Sequence, residues 1–187
     1  MNSNAIRTLT DPDAGSHMVC PYTTDAQLCA AACIFAAAGL RKGEGVVLLM
    51  TSDHCGPIRQ QLTTYGCNLP MLEATGELFC IDAESLMSQF MLDGDINEYR
   101  FLNIIGGIIE TAEQSSAART LRPVRVFGEM VNVLWGRSEQ KTARIEELWN
   151  HIIAAHPVSL LCAYFVGGTR PAELPDCLLS PHSHAIA

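Results

Sequence analysis

The feature that most constrains the fold is a series of short apolar runs separated by helical stretches. Polar and apolar residues do not alternate in these runs, so each predicts a strand that is buried on both faces. Strands of this kind, alternating with helices, are typical of βαβ units. The sequence therefore predicts an α/β fold with three α/β/α layers around a mostly parallel sheet. The predicted strands are residues 17–22, 45–51, 78–82, 124–127 and 159–165.

The rest of the chain divides into helices, a tail and an N-terminal arm. We expect residues 1–14 to form a flexible arm and residues 15–187 a single domain. A helix that begins at Ser138 should end near Pro157, because proline cannot continue it. The tail from Gly167 fits a short helix followed by an extended piece. The other predicted helices are residues 25–40, 55–66, 84–91 and 98–117.

Charge and composition exclude several classes of function. The net charge is −8 and the twelve Lys and Arg residues are scattered, which disfavours direct nucleic-acid binding. The longest nearly uncharged run, residues 28–40, is shorter than the ~20 residues that cross a bilayer. The cysteines lie in apolar runs without a Cys-x-x-Cys pair, and a secretory leader is not evident, so we expect a cytoplasmic protein without a membrane segment.

Glu129 is the first candidate for a binding residue. It follows the predicted strand 124–127 and Gly128. Ligands of open α/β sheets bind beyond the carboxyl ends of the strands, so a carboxylate there is a site candidate. The alternative is that Glu129 caps the next helix, where the helix dipole stabilises an acidic residue.

Residues 39–51 resemble the helix, turn and second strand of KaiC-type and RecA-type ATPases. In those proteins the first strand leads into a phosphate loop, which needs glycines, a lysine and a Ser or Thr hydroxyl. Residues 21–27 of this chain, Pro-Tyr-Thr-Thr-Asp-Ala-Gln, contain neither glycine nor lysine. Asp25 would also repel a triphosphate. The ATPase scaffold is therefore expected without its phosphate loop.

An ordered set of motifs extends this resemblance over residues 15–187. The motifs are residues 17–22, 124–130, 145–150, 160–164 and the closing His182-Ser183-His184. Together they resemble the MEDS family, the sensory domains named for methanogens, methylotrophs and the regulator DcmR. The resemblance implies a KaiC-derived domain that senses a small organic molecule. It also implies a histidine kinase or transcriptional output module as partner. We expect neither a cofactor nor catalysis.

A sheet wound as in KaiC would place the first, fourth and fifth strands side by side, so that Tyr22, Glu129 and Tyr164 open onto one crevice. The tyrosines would supply rings and hydroxyls, and the carboxylate would accept a ligand donor. Asn132 follows Glu129 by three and would orient the carboxylate. The alternative for both tyrosines is a core ring with its hydroxyl at the rim. The predicted ligand-binding set is Tyr22, Asp25, Glu129, Asn132, Tyr164, His17, Cys162 and Trp135.

Structural roles and a metal site remain as alternatives for other residues. His17 could instead bond the C-terminal tail, and Trp135 could serve as a packing anchor. A metal or haem sensor would draw on sulfur and imidazole donors. His17 and Cys20 are three apart in a strand and point to opposite faces, which weakens this reading. The donors considered are His17, Cys20, Cys177, His182 and His184.

An enzyme is the remaining class. Ser52-Asp53-His54 looks like a catalytic triad, but triad members meet in space and not as sequence neighbours. A Gly-x-Ser-x-Gly nucleophile elbow is not present. The leading hypothesis is a non-catalytic sensor. The alternative is a protein-interaction module that forms homo-oligomers through a degenerate ATPase fold.

Overall fold

The computed structural model describes residues 1–114 and 121–186 and contains a parallel sheet with helices on both faces. The strands are β1 His17–Tyr22, β2 Gly45–Met50, β3 Leu78–Asp82, β4 Met91–Leu92, β5 Asp95–Ile96, β6 Val124–Gly128, β7 Val158–Phe165 and β8 His184–Ala185. The helices are α1 Ser3–Thr10, α2 Asp25–Lys42, α3 Ser52–Thr64, α4 Leu69–Ala74, α5 Ala83–Phe90, α6 Glu98–Glu113, α7 Met130–Leu134, α8 Glu139–Ala155 and α9 Asp176–Leu179.

The strands of the main sheet follow the order β3-β2-β6-β7-β1-β8, and each neighbouring pair is parallel. One apolar cluster joins the sheet to α1, α2, α3 and α4, and a second joins its other face to α5, α6, α7, α8 and α9. The predicted three-layer α/β fold is confirmed. Of the described helices, none is both long and apolar enough to cross a membrane.

The elements that the sequence did not predict are mainly short ones. Helix α4 has six residues and the β4–β5 hairpin has strands of two, so neither carries a readable period. Helix α6 ends at Glu113, and residues 115–117 of the predicted helix lie outside the described residues.

The N-terminal segment contains a helix instead of the expected flexible arm. The side chain of Asn2 accepts a hydrogen bond from the backbone N–H of Ala5 at 2.9 Å and caps α1. Ala5 and Leu9, four residues apart, are buried on one face of this helix. They pack in the apolar cluster that joins the sheet to α1, α2, α3 and α4. The cap and these two buried side chains thus order a segment that is mostly polar.

Arg125 of β6 fixes the position of α1. Its side chain is buried and its Nη1 donates to the carbonyl oxygens of Leu9 at 2.9 Å and Phe35 at 3.1 Å. Its Nε donates to the carboxylate of Glu44. A Cβ atom at Gly39 would lie 2.6 Å from Cδ of Arg125, so the absence of a side chain there makes room for the guanidinium. The cation therefore ties the sheet to α1 and α2.

We predict that Arg125→Ala lowers the free energy of unfolding by about 3 kcal/mol, because the carbonyl oxygens and Glu44 lose their donor in a buried position. Urea unfolding of the variant and of wild type measures this loss. Arg100→Ala, at an exposed arginine of α6, should change stability by less than about 0.5 kcal/mol. Equal unfolding midpoints for Arg125→Ala and wild type would contradict the role of this contact.

Candidate functional site

The connection between β1 and α2 occupies the place of the phosphate loop and is only two residues long, Thr23 and Thr24. The hydroxyl of Thr24 accepts from the N–H of Gln27 at 3.3 Å. The side-chain oxygen of Gln27 accepts from the N–H groups of Thr23 at 2.9 Å and Thr24 at 3.2 Å. This capping box occupies the N–H groups of Thr23, Thr24 and Gln27, which are then not free for a phosphate. A phosphate loop of about eight residues has no counterpart here.

Glu129 lies directly after β6 and is fully buried. Its Oε2 accepts from the N–H of Thr51 at 3.0 Å, and its Oε1 lies 2.6 Å from Nδ1 of His54. The hydroxyl of Thr51 donates to the same carboxylate at 3.3 Å. Although Glu129 precedes α7, its side chain makes no capping bond to that helix. Glu129 is the N-cap residue of α7, as the alternative has it, but its carboxylate joins β6 to the β2–α3 connection.

His54 connects the buried Glu129 to the surface. Its Nε2 lies 3.4 Å from Oδ1 of Asp25, whose side chain is 80% exposed. Its ring meets the ring of Tyr22 edge-on at 6.4 Å. Hydrogen bonding to Glu129 raises the pKa of His54 above its usual 6.5, against the opposing effect of burial, and Asp25 adds to the rise. Glu129, His54 and Asp25 thus form a chain of charges across the carboxyl edge of the sheet.

Asn132 joins the same edge through Tyr22 and not through Glu129. Its Nδ2 donates to the hydroxyl of Tyr22 at 3.1 Å, and its Oδ1 accepts from the N–H of Phe165 at 2.9 Å. Nη1 of Arg170, in the tail, donates to the carbonyl oxygen of Asn132 at 3.1 Å. The expectation that the amide orients Glu129 is wrong. Burial and then the charge of Glu129 raise the pKa of the Tyr22 hydroxyl.

Tyr164 does not share this crevice. The strand register pairs Tyr22 with Phe165 and Pro21 with Tyr164, so the two tyrosines point to opposite faces of the sheet. The Tyr164 hydroxyl is buried and donates to Glu146. The shared crevice was predicted because the strand ends are neighbours. The prediction is wrong because side chains alternate between the two faces along each strand.

Tyr164 belongs to a second polar cluster, on the α8 face of the sheet. Glu146 of α8 is fully buried, and its Oε2 lies 3.0 Å from Nε2 of His17. The thiol of Cys162 donates to the same oxygen at 3.3 Å, and Nε2 of His182 lies 3.2 Å from Oε1. Burial raises the pKa of Glu146, but the two imidazoles outweigh it and lower the pKa to about 2.

Two of the predicted ligand-binding residues, His17 and Trp135, make structural contacts. The N–H of His17 donates to the hydroxyl of Ser183 at 3.1 Å, and the N–H of Ser183 donates to the carbonyl oxygen of His17 at 2.6 Å. Nε1 of Trp135 donates to the carbonyl oxygen of Phe165 at 3.0 Å, and its ring packs against Tyr164 at 6.2 Å. These are the tail contact and the packing anchor that the sequence left as alternatives. The described bonds of Glu129 involve none of the side chains of His17, Cys162, Trp135 and Tyr164.

The predicted metal donors do not come together as a set. Cys20 is buried in the cluster of the opposite face, as the strand alternation requires. The exposed Cys177 donates to Oε1 of Glu139 at 3.0 Å, and the exposed His184 bonds the hydroxyl of Ser183. Only His17 and His182 meet, with Glu146 and Cys162 as their unpredicted neighbours.

A cavity of about 320 Å³ lies beside the Glu129 network, between the ends of β2 and β3 and the start of α3. It is flanked by the connection that carries Thr51, since the next residue, Ser52, lines it. Its volume is at the small end of the range for ligand pockets, which begins at about 300 Å³. The lining residues are Met50, Ser52, Cys55, Cys80, Ile81 and Asp82.

Some residues of these networks were not predicted from the sequence. Thr51 and His54 follow the end of a predicted strand, where ligands of open α/β sheets bind, and that position was the available signal. Arg170 lies in the irregular tail, where no period indicates which side chain turns inward. Glu146 lies in α8, whose buried face was predicted from its apolar residues alone, so a buried carboxylate was not expected there.

The sheet order and the capped turn define a RecA-type α/β domain that lacks a phosphate loop. Residues 16–180 match the family described as MEDS, MEthanogen/methylotroph, DcmR Sensory domain, and the chain belongs to this family. A solved structure with a similar fold is a KaiC-like protein from the hyperthermophilic archaeon Pyrococcus horikoshii. Its TM-score is 0.62 at 14% identity, over 92% of this chain and 70% of that one. Among curated proteins, no significant sequence match is found.

The raised pKa of His54 predicts a pH-dependent stability. A folded-state pKa above the unfolded value stabilises the fold below about pH 6.5, and the gain is lost as the pH rises through the folded-state pKa. His54→Gln should therefore be less stable than wild type at pH 5.5, by a margin that shrinks towards pH 9. Urea unfolding across this range measures the margin.

The control for this prediction is His151→Gln, because His151 is exposed on α8. Its stability relative to wild type should vary less with pH than that of His54→Gln. A margin for His54→Gln that grows as the pH rises would contradict the ion pair with Glu129.

Proposed function

We propose that this sensory domain binds a small organic molecule at the carboxyl edge of the sheet and passes its state to a kinase or transcriptional output. The family description supports the sensory role. The capped turn between β1 and α2 supports a ligand other than a nucleoside triphosphate, because Gln27 and Thr24 occupy three of its amides and Asp25 places a negative charge there.

The observation that carries the proposal is the Glu129–His54–Asp25 chain. Glu129 accepts from His54 and Thr51, so its buried carboxylate is already paired. A ligand with an N–H or O–H donor gains this acceptor if it takes the place of His54. The imidazole, which is 13% exposed and already close to Asp25, can then turn towards that residue. Such an exchange keeps the buried charge paired in both states.

Helix α3 is the element that this exchange would release. Thr51 is the N-cap of α3, yet its side chain makes no capping bond and donates to Glu129 instead. The start of the helix is thus held through Glu129 and His54. The cavity beside Ser52 and Cys55 offers space for the apolar part of a small ligand. A ligand that prefers the released arrangement shifts the population towards it, which is the requirement for a signal.

The same groups do not form a hydrolytic triad. In a triad the hydroxyl and the carboxylate bond different nitrogens of the imidazole, which lets the ring relay a proton. Here the hydroxyl of Thr51, at 3.1 Å, and the carboxylate of Glu129, at 2.6 Å, share Nδ1 of His54. Nε2 faces Asp25. This arrangement supports binding without catalysis.

We predict that a thermal-shift screen over small alcohols, amines, haloalkanes and organic acids identifies a stabilising ligand. A ligand at 100 times its dissociation constant adds ~2.7 kcal/mol to the stability of the fold. Glu129→Gln should weaken the binding of that ligand at least about tenfold, because an amide replaces the charged acceptor. Calorimetric titration of both proteins measures the change.

The matched control is Glu110→Gln, the same substitution at an exposed position of α6, which should leave affinity unchanged. Unchanged affinity in Glu129→Gln would contradict the site. Stabilisation by Mg-ATP that is lost in Asp25→Ala would contradict the sensor reading. The interaction module would be favoured instead if the screen finds no ligand and light scattering shows a stable oligomer whose size is the same in Glu129→Gln.

A further inference from the structure

The cluster around Glu146 brings four potential metal ligands together from four parts of the chain. His17 lies at the start of β1, Cys162 in β7, Glu146 in α8 and His182 between α9 and β8. One ligand atom from each lies within 4.8 Å of all the others. Their side chains are almost completely buried, with 3% of His17, 1% of His182 and none of Glu146 exposed. Such convergence is unlike the solvated acidic groups of a protein surface.

The spacing of these atoms suits a tetrahedral ion. Zinc bonds of about 2.0 to 2.3 Å place neighbouring ligand atoms roughly 3.3 to 3.8 Å apart. Nε2 of His17 lies 3.4 Å from Sγ of Cys162, and Oε2 of Glu146 lies 3.3 Å from the same sulfur. Nε2 of His182 lies 3.2 Å from the other carboxylate oxygen of Glu146, Oε1. Since one ligand atom from each residue lies within 4.8 Å of the others, an ion at the centre would require the side chains to move towards it.

Groups around the cluster orient its members as in known metal sites. Nδ1 of His17 lies 2.9 Å from Oδ1 of Asn150, which accepts its hydrogen, so Nε2 is the nitrogen that faces the cluster and would bind a metal. The Tyr164 hydroxyl donates to Oε1 of Glu146, and Oε2 faces His17 and Cys162. Hydrogen bonds of this kind to the far side of a ligating imidazole or carboxylate are typical of metal centres.

His182 provides the strongest indication. Within the described residues, neither of its buried ring nitrogens has a hydrogen-bond partner. Its Nε2 approaches Glu146 without the alignment of a hydrogen bond. Its ring lies 4.2 Å from the ring of His17, at 47°. A buried polar group without a partner is rare in native proteins, and a metal ion would supply the missing partner.

We propose that His17, Glu146, Cys162 and His182 form a tetrahedral site for a divalent transition metal, with zinc as the ion that its donors suit best. Two imidazoles, a thiolate and a carboxylate fill all four positions, which is typical of a structural site. On binding, the sulfur of Cys162 bonds the metal and its thiol proton goes to solvent. The site lies on the face of the sheet opposite Tyr22 and is independent of the proposed ligand site. It would clip the C-terminal tail to β1, β7 and α8.

The test uses cobalt as a spectroscopic probe of the reduced, chelator-treated chain. Wild type should bind one Co²⁺ per chain with a thiolate charge-transfer band and the intense visible bands of tetrahedral coordination. Zn²⁺ should displace the cobalt and raise the melting temperature. A folded wild type that gives no such bands, or only the weak bands of an octahedral surface ion, would overturn the proposal.

Two variants and two controls locate the site. His182→Gln removes a ligand together with the ion pair to Glu146, and it should weaken cobalt binding by more than about 100-fold, since loss of a supporting group alone costs 10- to 100-fold. Cys162→Ser should remove the charge-transfer band. His184→Gln and Cys177→Ser replace an exposed imidazole and thiol near the tail and should bind like wild type. Loss of binding in either control, with His182→Gln unaffected, would overturn the assignment.

Hydrogen exchange gives a readout that does not depend on any variant. The N–H of Ser183 bonds the carbonyl oxygen of His17, and the N–H of Ile186 bonds that of Val19. Saturating zinc should slow the exchange of these tail amides at least about tenfold, because the ion holds His182 against the sheet. Unchanged exchange in both amides at full metal occupancy would contradict the clip.

Discussion

Two carboxylates that are completely buried against a parallel sheet determine how the polar groups of this domain are arranged. Removing an ionised carboxylate from water costs far more than one apolar contact returns, so each must be paired within the fold. Glu129 meets Thr51 and His54, and Glu146 meets His17, Cys162 and His182. Each carboxylate thereby contacts an element outside its own, the start of α3 in one case and the C-terminal tail in the other.

The sheet keeps these two networks apart. Side chains of successive residues in a strand point to opposite faces, so Tyr22 and Cys20 serve one layer while His17 and Val19 serve the other. The Glu129 network reaches the surface through His54 and Asp25, which suits an exchange with a ligand. The Glu146 network is closed by the tail and suits a permanent structural role. On the two proposals made above, one sheet would carry a ligand-responsive edge and, on its other face, a metal clip for the tail.

The sequence predicted those features that depend on short-range patterns. The doubly buried strands appear as apolar runs, and the absence of glycine and lysine after Tyr22 correctly indicates a turn without a phosphate cradle. Pairings across the sheet depend on register, which no local pattern contains. The register placed Tyr164 beside Glu146, whereas strand adjacency alone had suggested Glu129. Helix α1 was missed because only two of its eight residues are buried, too few to show a period.

The central claim is that a small molecule, and not a nucleotide, acts at the edge where Glu129 meets His54. Backbone chemical-shift mapping by NMR tests it most directly, with the small-molecule panel and Mg-ATP added in turn to the labelled chain. A panel member should shift the resonances of Thr51, His54 and Glu129 together, and Mg-ATP should leave those of Thr23, Thr24 and Gln27 unchanged. Saturable shifts of the latter three with Mg-ATP, and none at Glu129 with any panel member, would contradict the account.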